Sequence, residues 1–282
     1  MSTLLEPFQY EFFQHAIVVS TLAGGVCGLI GVYVVLRGMS YVGHGLSHAI
    51  FGGAVASFVT GINFYLGAGV WGIVSALLIY KVARRRTIGA DAAIGVVTTA
   101  SFAVGIALIS SFGGFTRDFE AALFGNVLGV STGDVVVVAG VALFATTVVF
   151  LRYRQLLFAT FDPEVAEVSG VDIARVDTLL AVTLAAIITA TMNVLGVTLI
   201  AAVLVIPPVT ARLMTDSFGR MLGISTALGA VAGSAGVYLS YYLNISSGAA
   251  VVLVGATVFS VVFLTTGDSK RSGAPAVSAP RA

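Results

Sequence analysis

His44 and His48 stand four residues apart in "GHGLSHAIFGG", residues 43–53, and they are two of the only three histidines in a chain that is 58% hydrophobic. On a helix this spacing puts both imidazoles on one face with Cβ atoms about 6 Å apart, close enough to reach one ion. Neutral imidazole is the commonest protein ligand for divalent transition metals. The competing role is structural, with two core histidines bonded to the backbone or to Ser47. Polar groups inside a membrane segment are costly, however, and they tend to mark a pathway. Two neutral rings supply no negative charge, so a dication there needs a carboxylate or a symmetry-related chain nearby. A four-histidine cluster across a dimer axis is one such arrangement.

The pair has to be held by membrane helices. Mean hydropathy is +1.04, only 10% of residues are charged, and apolar runs repeatedly reach the roughly 20 residues that a bilayer crossing needs. The expected fold class is all-α, a polytopic integral membrane bundle of eight or nine spans: 13–36, 42–62, 64–82, 90–112, 132–151, 173–194, 196–213, 220–242 and 247–266. The second and third are the least sharply divided, and one of them is a candidate for a short or re-entrant segment. Counted along a helix from Arg37, His48 lies roughly 16 Å in, near the middle of a core about 30 Å thick.

Charge sets an expected orientation. With Lys81, Arg84, Arg85 and Arg86 on the cytoplasmic side, Arg37, Arg152, Arg154, Arg175, Arg212, Arg220, Lys270, Arg271 and Arg281 fall there too. Only Arg117 is left outside, offset by Asp118 and Glu120. The C-terminus is then cytoplasmic, and the first hydrophobic segment, which lacks a signal-peptide pattern, stays in the mature chain. Residues 1–266 form the transmembrane domain, and 267–282, rich in Ala, Pro and Ser, read as a disordered tail. A net charge of +1 with scattered basic residues argues against nucleic acid as a partner. Cys27, the single cysteine, has no partner for a disulfide and reads as packing.

One connection carries its own helix. In "FDPEVAEVSG", Asp162 is placed as N-cap, Pro163 at the first helical position, Glu164 in the first turn and Gly170 as stop. A short amphipathic helix at the cytoplasmic surface suits docking into a partner's groove, although an ordinary interfacial connector has a similar pattern.

Five ordered blocks carry a resemblance: "GVYVVLRGMSYVGHGLSHAIFGG", "DAAIGVV", "LFGNVLGVS", "FDPEVAEVSG" and "GVTLIAAVLVIPPVTARLM". Over nearly the whole membrane region the chain resembles the permease subunits of bacterial zinc and manganese ABC importers, relatives of the vitamin B12 and siderophore permeases. The resemblance implies a permease in the bacterial cytoplasmic membrane that pairs with a second copy of itself. It also implies a cytoplasmic ABC ATPase docked on Phe161, Asp162, Pro163, Glu164, Glu167 and Gly170, and an extracytoplasmic metal-binding protein. No cofactor is expected to stay bound, and the cargo is Zn2+ or Mn2+. The chain has no G-x-x-x-x-G-K-[ST] loop, so ATP hydrolysis is expected from a separate subunit. Many relatives read Gly-Asp-x-x-Ser-His where this chain has Gly43 followed by His44. The ligand role therefore carries over fully to His48 and only by position to His44.

The remaining candidates have plainer roles. Asp91 and Asp134 read as first-turn acids on helix dipoles. Met192 and Asn193, at the outer end of the sixth span, are candidates for a gate, although Met more often packs. Pro207 and Pro208 should break or kink the seventh span beside a cavity or pathway. His15 reads as interfacial. Two imidazoles favour zinc modestly over manganese, which prefers oxygen ligands. The alternatives are an ion-gradient-driven secondary transporter, for which neither inverted repeats nor acid relays are evident, an iron or siderophore ABC permease, and a membrane scaffold.

Overall fold

A bilayer offers backbone N–H and C=O groups no partner but one another, so an apolar run that crosses it has to close its hydrogen bonds as a helix. The computed structural model describes residues 6–83, 89–112, 123–125 and 129–271, and its architecture is helical. After a 3-10 turn at Glu6–Gln9 come α1 (Glu11–Leu36), α2 (Ser40–Thr60), α3 (Phe64–Ala83), α4 (Ala90–Phe112) and α5 (Thr132–Leu151). Two short helices follow, α6 (Tyr153–Phe161) and α7 (Pro163–Val168), then α8 (Ile173–Leu195), α9 (Ile200–Met214), α10 (Phe218–Leu243) and α11 (Ser247–Arg271).

Eight of these helices are long and apolar enough to span a membrane, which makes this a multi-pass membrane protein. The second and third expected spans are both full-length. The short one is the seventh: α9 has 15 residues and starts at Ile200 rather than near 196. The delay has a local cause. Gly196 adopts a φ of +78°, and a Cβ there would lie 2.5 Å from the Leu123 carbonyl oxygen and the Gly125 nitrogen. Thr198 then donates to that same Leu123 oxygen from both its backbone N–H, at 3.2 Å, and its hydroxyl, at 2.7 Å. The chain is thus pinned in a turn before it can coil.

Pro207 and Pro208 do not break α9, which runs on through both. Without a proline N–H, the carbonyls of Val203 and Leu204 lose their helical donors. The Leu204 oxygen faces Gly31 of α1, where a Cβ would lie only 2.1 Å away. A glycine lets the backbones close on that carbonyl, so Cα–H donors can partly replace the missing bond. The same device joins α1 to α10. A Cβ on Gly24 would lie 2.1 Å from the Gly229 oxygen and one on Gly28 2.3 Å from the Ser225 oxygen, and the Ser225 hydroxyl donates to the Gly28 carbonyl at 2.6 Å. Small residues bring helices together where lipid gives no hydrophobic drive.

Burial sorts the spans. The most apolar windows of α1, α2 and α8 are 78%, 67% and 67% buried, whereas those of α4, α5 and α11 are only 22%, 22% and 17%. The histidine pair thus rides on one of the three central spans. Cys27 is free and buried. At the other end of the chain, helix α11 continues to Arg271, past the expected boundary at 266. The basic cluster at 84–86, the acidic pair at 118 and 120, and 272–282 of the expected tail lie outside the described residues.

Candidate functional site: an imidazole pair at mid-helix

Helix α2 places His44 and His48 as their spacing requires, with ring centroids 4.8 Å apart and planes at 76°. His44 is exposed and His48 half-buried. His48 begins its third helical turn, about 12 Å from Ser40 at ordinary rise and close to the middle of the 21-residue helix. Phe102 of α4 sets its ring edge-to-face against the His48 imidazole, 5.6 Å away at 90°. The two helices approach this closely because Gly45 has no side chain: a Cβ there would meet Ile94 Cγ2 at 2.4 Å and Thr98 Oγ1 at 2.6 Å.

Ser47 does not hold either ring. Its hydroxyl donates to the His44 backbone carbonyl at 2.8 Å, and among the described residues neither imidazole has a hydrogen-bond partner. No group of three or more His, Cys, Asp or Glu side chains gathers among the described residues, so the two imidazoles have no described carboxylate grouped with them. The pair is open on the side where His44 is exposed.

The other predicted residues scatter. Met192 is fully buried in the main core, and Asn193 lies in a separate polar cluster. In that cluster, at the far ends of α3, α5 and α8, the Tyr65 hydroxyl bonds the Asp134 carboxylate and the Asn193 amide donates to Tyr65 at 3.3 Å and to Asp134 at 3.5 Å. Asp134 also completes a capping box with Ser131, as a first-turn acid should. Asp91 is an exposed first-turn acid of α4. His15 sits 3.9 Å from Glu11 on α1. Pro207 and Pro208 are buried in α9, and Pro208 lies against Gly31 of α1.

The segment at 162–170 forms as read. Asp162 caps α7 by accepting from the Val165 N–H at 3.0 Å, Pro163 takes the first position, and Gly170 turns the chain at φ +84°. Glu164 and Glu167 are exposed, as are Phe161, Val165 and Val168, the last at 91%, while Ala166 is buried. Sequence reasoning missed the helix before it, α6, which begins as soon as α5 ends at Leu151. It also missed an ionic knot at that end of the bundle. Arg37 pairs with Asp177 of α8, Tyr80 of α3 donates to the same carboxylate at 3.0 Å, and Arg37 Nε donates to Thr160 of α6 at 3.0 Å. An arginine between the first two apolar spans, with an aspartate inside the sixth, was the available signal.

A family model described as the ABC 3 transport family matches residues 9–266. The chain is 37% identical to the manganese transport system membrane protein MntC of Halalkalibacterium halodurans, over 90% of this chain and 87% of that one. It is 35% identical to the manganese import system permease protein ScaB of Streptococcus parasanguinis, over 94% of each. Among solved structures, PsaBC from Streptococcus pneumoniae in complex with Fab superposes with a TM-score of 0.85 at 32% identity, covering 93% of this chain and 95% of that one. With a family model matching residues 9–266 and relatives above 30% identity over nine-tenths of its length, the chain belongs to the ABC 3 transport family.

Proposed function

We propose that this chain is the membrane-spanning permease of an ATP-binding-cassette importer for a divalent transition metal, and that its cargo is manganese(II), held in transit by His48 and His44. The observation that carries this reading is the imidazole pair itself: two rings 4.8 Å apart, without hydrogen-bond partners, near the middle of a central span. Groups that cost so much to place in a membrane are kept where something passes. The names of the MntC and ScaB relatives support manganese over zinc.

Two ligands on an exposed face leave the ion's shell incomplete, which favours a second copy of this chain across the pathway. The many arginines at the α1–α2, α5–α6 and α9–α10 corners support a cytoplasmic placement of that end, with the C-terminus beside it. Helix α7 projects there with a solvent-facing apolar edge of Val165 and Val168 flanked by Glu164 and Glu167, the shape of a plug for an ATPase groove. The binding protein then delivers metal to the opposite end.

Zinc is the second reading, and one observation favours it: both protein donors are imidazoles, where manganese prefers oxygen. Uptake of radioactive manganese and zinc into proteoliposomes holding permease, ATPase and binding protein separates the two. Manganese is expected to accumulate, and His44→Asp to raise manganese over zinc further by adding a hard oxygen donor. Faster zinc uptake by the native chain would reverse the assignment. For docking, Glu164→Lys with Glu167→Lys is expected to weaken ATPase pull-down while the permease stays folded. Undiminished pull-down would remove α7 from the interface.

A further inference from the structure

Arg37 stands at the corner between α1 and α2, seven positions before His44. It is nearly buried, with its side chain 9% exposed and that of its partner Asp177 20% exposed. Its contacts are unusual in where they lead. Nε donates to Thr160, two residues before the Asp162 cap of α7, and Nη1 to Asp177, in the second turn of α8 just past the Gly170 turn. The two anchors therefore flank α7 on both sides. Thr160 completes the link by donating its own hydroxyl to Leu156 within α6, at 2.6 Å, while accepting from Arg37. Tyr80 of α3 fixes the second carboxylate oxygen of Asp177.

We propose that Arg37 is a positioning residue that carries movement of the α6–α7–α8 corner to the start of the histidine helix, coupling ATPase engagement to the state of the metal site. This rests on the reading of α7 as the ATPase contact. A buried ion pair contributes little net stability compared with apolar packing but is demanding in geometry, so it suits a linkage better than a staple. Only Gly38 and Met39 lie between Arg37 and α2, so a shift of its guanidinium is felt at Ser40 and along the rigid helix to His44. Room for the shift exists: a cavity of about 180 Å3 lies between α2, α3, α4 and α8, lined by Arg37, Leu46, Tyr80, Asp177 and Leu184 among others. Arg37 Nη2 is buried with no partner among the described residues, so one fork of the guanidinium is left unengaged and has a second arrangement open to it. Tight packing or a saturated guanidinium would have argued for a fixed joint.

The test uses the complete importer in proteoliposomes and reads metal uptake and ATP hydrolysis side by side. Thr160→Val is nearly isosteric and removes only the α6 link, Asp177→Asn keeps shape but removes the charge, and Arg37→Lys keeps the charge but cannot bridge both partners. For each, ATPase pull-down and hydrolysis are expected to persist. Manganese transported per ATP is expected to fall at least about fivefold, the low end of coupling between linked sites. The ratio is the readout that mere destabilisation does not move. If uptake and hydrolysis fall together with the melting temperature, or neither changes, Arg37 is a staple and the proposal is wrong. Loss of pull-down in Thr160→Val would also overturn it, since the link would then serve docking. Failure of the α7 reading is seen separately, as normal pull-down with Glu164→Lys and Glu167→Lys.

Discussion

The histidine pair and the Asp134 cluster are built on opposite principles. At the far ends of α3, α5 and α8, every polar group faces another: Asp134 meets Tyr65, Asn193, the Ser131 hydroxyl at 2.6 Å and the Ser131 N–H at 2.8 Å. In the first half of α2, His44 and His48 make ring contacts with each other and, from His48, with Phe102, and no hydrogen bond among the described residues. A closed cluster has paid its desolvation within the protein and has nothing left to offer a ligand. An open one keeps lone pairs available at a depth where they are otherwise disfavoured. The contrast separates a structural joint from the proposed binding site, although both are made of polar residues inside an apolar bundle.

Breaking each cluster should therefore give different kinds of loss. His48→Ala is expected to reduce manganese uptake by proteoliposomes at least about tenfold, the lower end even for groups that merely orient a metal ligand. Expression and thermal stability should stay near native, because no hydrogen bond is removed. Ser131→Ala opens the capping box of α5 and is expected to lower stability by about 1 kcal/mol, read as a drop in the detergent-solubilised melting temperature with uptake per folded molecule unchanged. Tyr65→Phe removes the hydrogen bond to the Asp134 carboxylate, which keeps three other contacts, and the one accepted from Asn193. It is expected to lower the melting temperature by an amount comparable to Ser131→Ala and likewise to spare uptake. A variant of the closed cluster that stopped transport without destabilising the fold would erase the distinction.

What could be read from the sequence follows the same division. Local signals worked: a four-residue spacing placed the two rings on one face, and Asp162, Pro163 and Gly170 delimited α7 because capping, proline and positive φ are decided within a few residues. Apolar runs located the spans for the same reason. Contacts between distant parts of the chain were not legible. Arg37 and Asp177 are 140 residues apart, and nothing near either names the other. The late start of α9 depends on Leu123 and Gly125 crossing at Gly196, and the survival of α9 through two prolines depends on Gly31 in α1 receiving the freed carbonyl. Helix α6 was hidden differently: it starts so soon after α5 that its residues read as the end of a span and the start of a loop. The pair's isolation was likewise invisible, since the spacing fits a ring bonded to Ser47 equally well, and only the Ser47 bond to the His44 carbonyl distinguishes the two.

The most direct measurement is of the ion's own ligands. Manganese(II) is paramagnetic, so pulsed electron paramagnetic resonance of the metal trapped in the assembled importer reports whether nitrogen nuclei are bonded to it. Histidine nitrogen couplings are expected in the native complex, weakened in His44→Asp and lost in His48→Ala. A native spectrum showing only oxygen and water ligands would contradict the assignment of these imidazoles to the cargo.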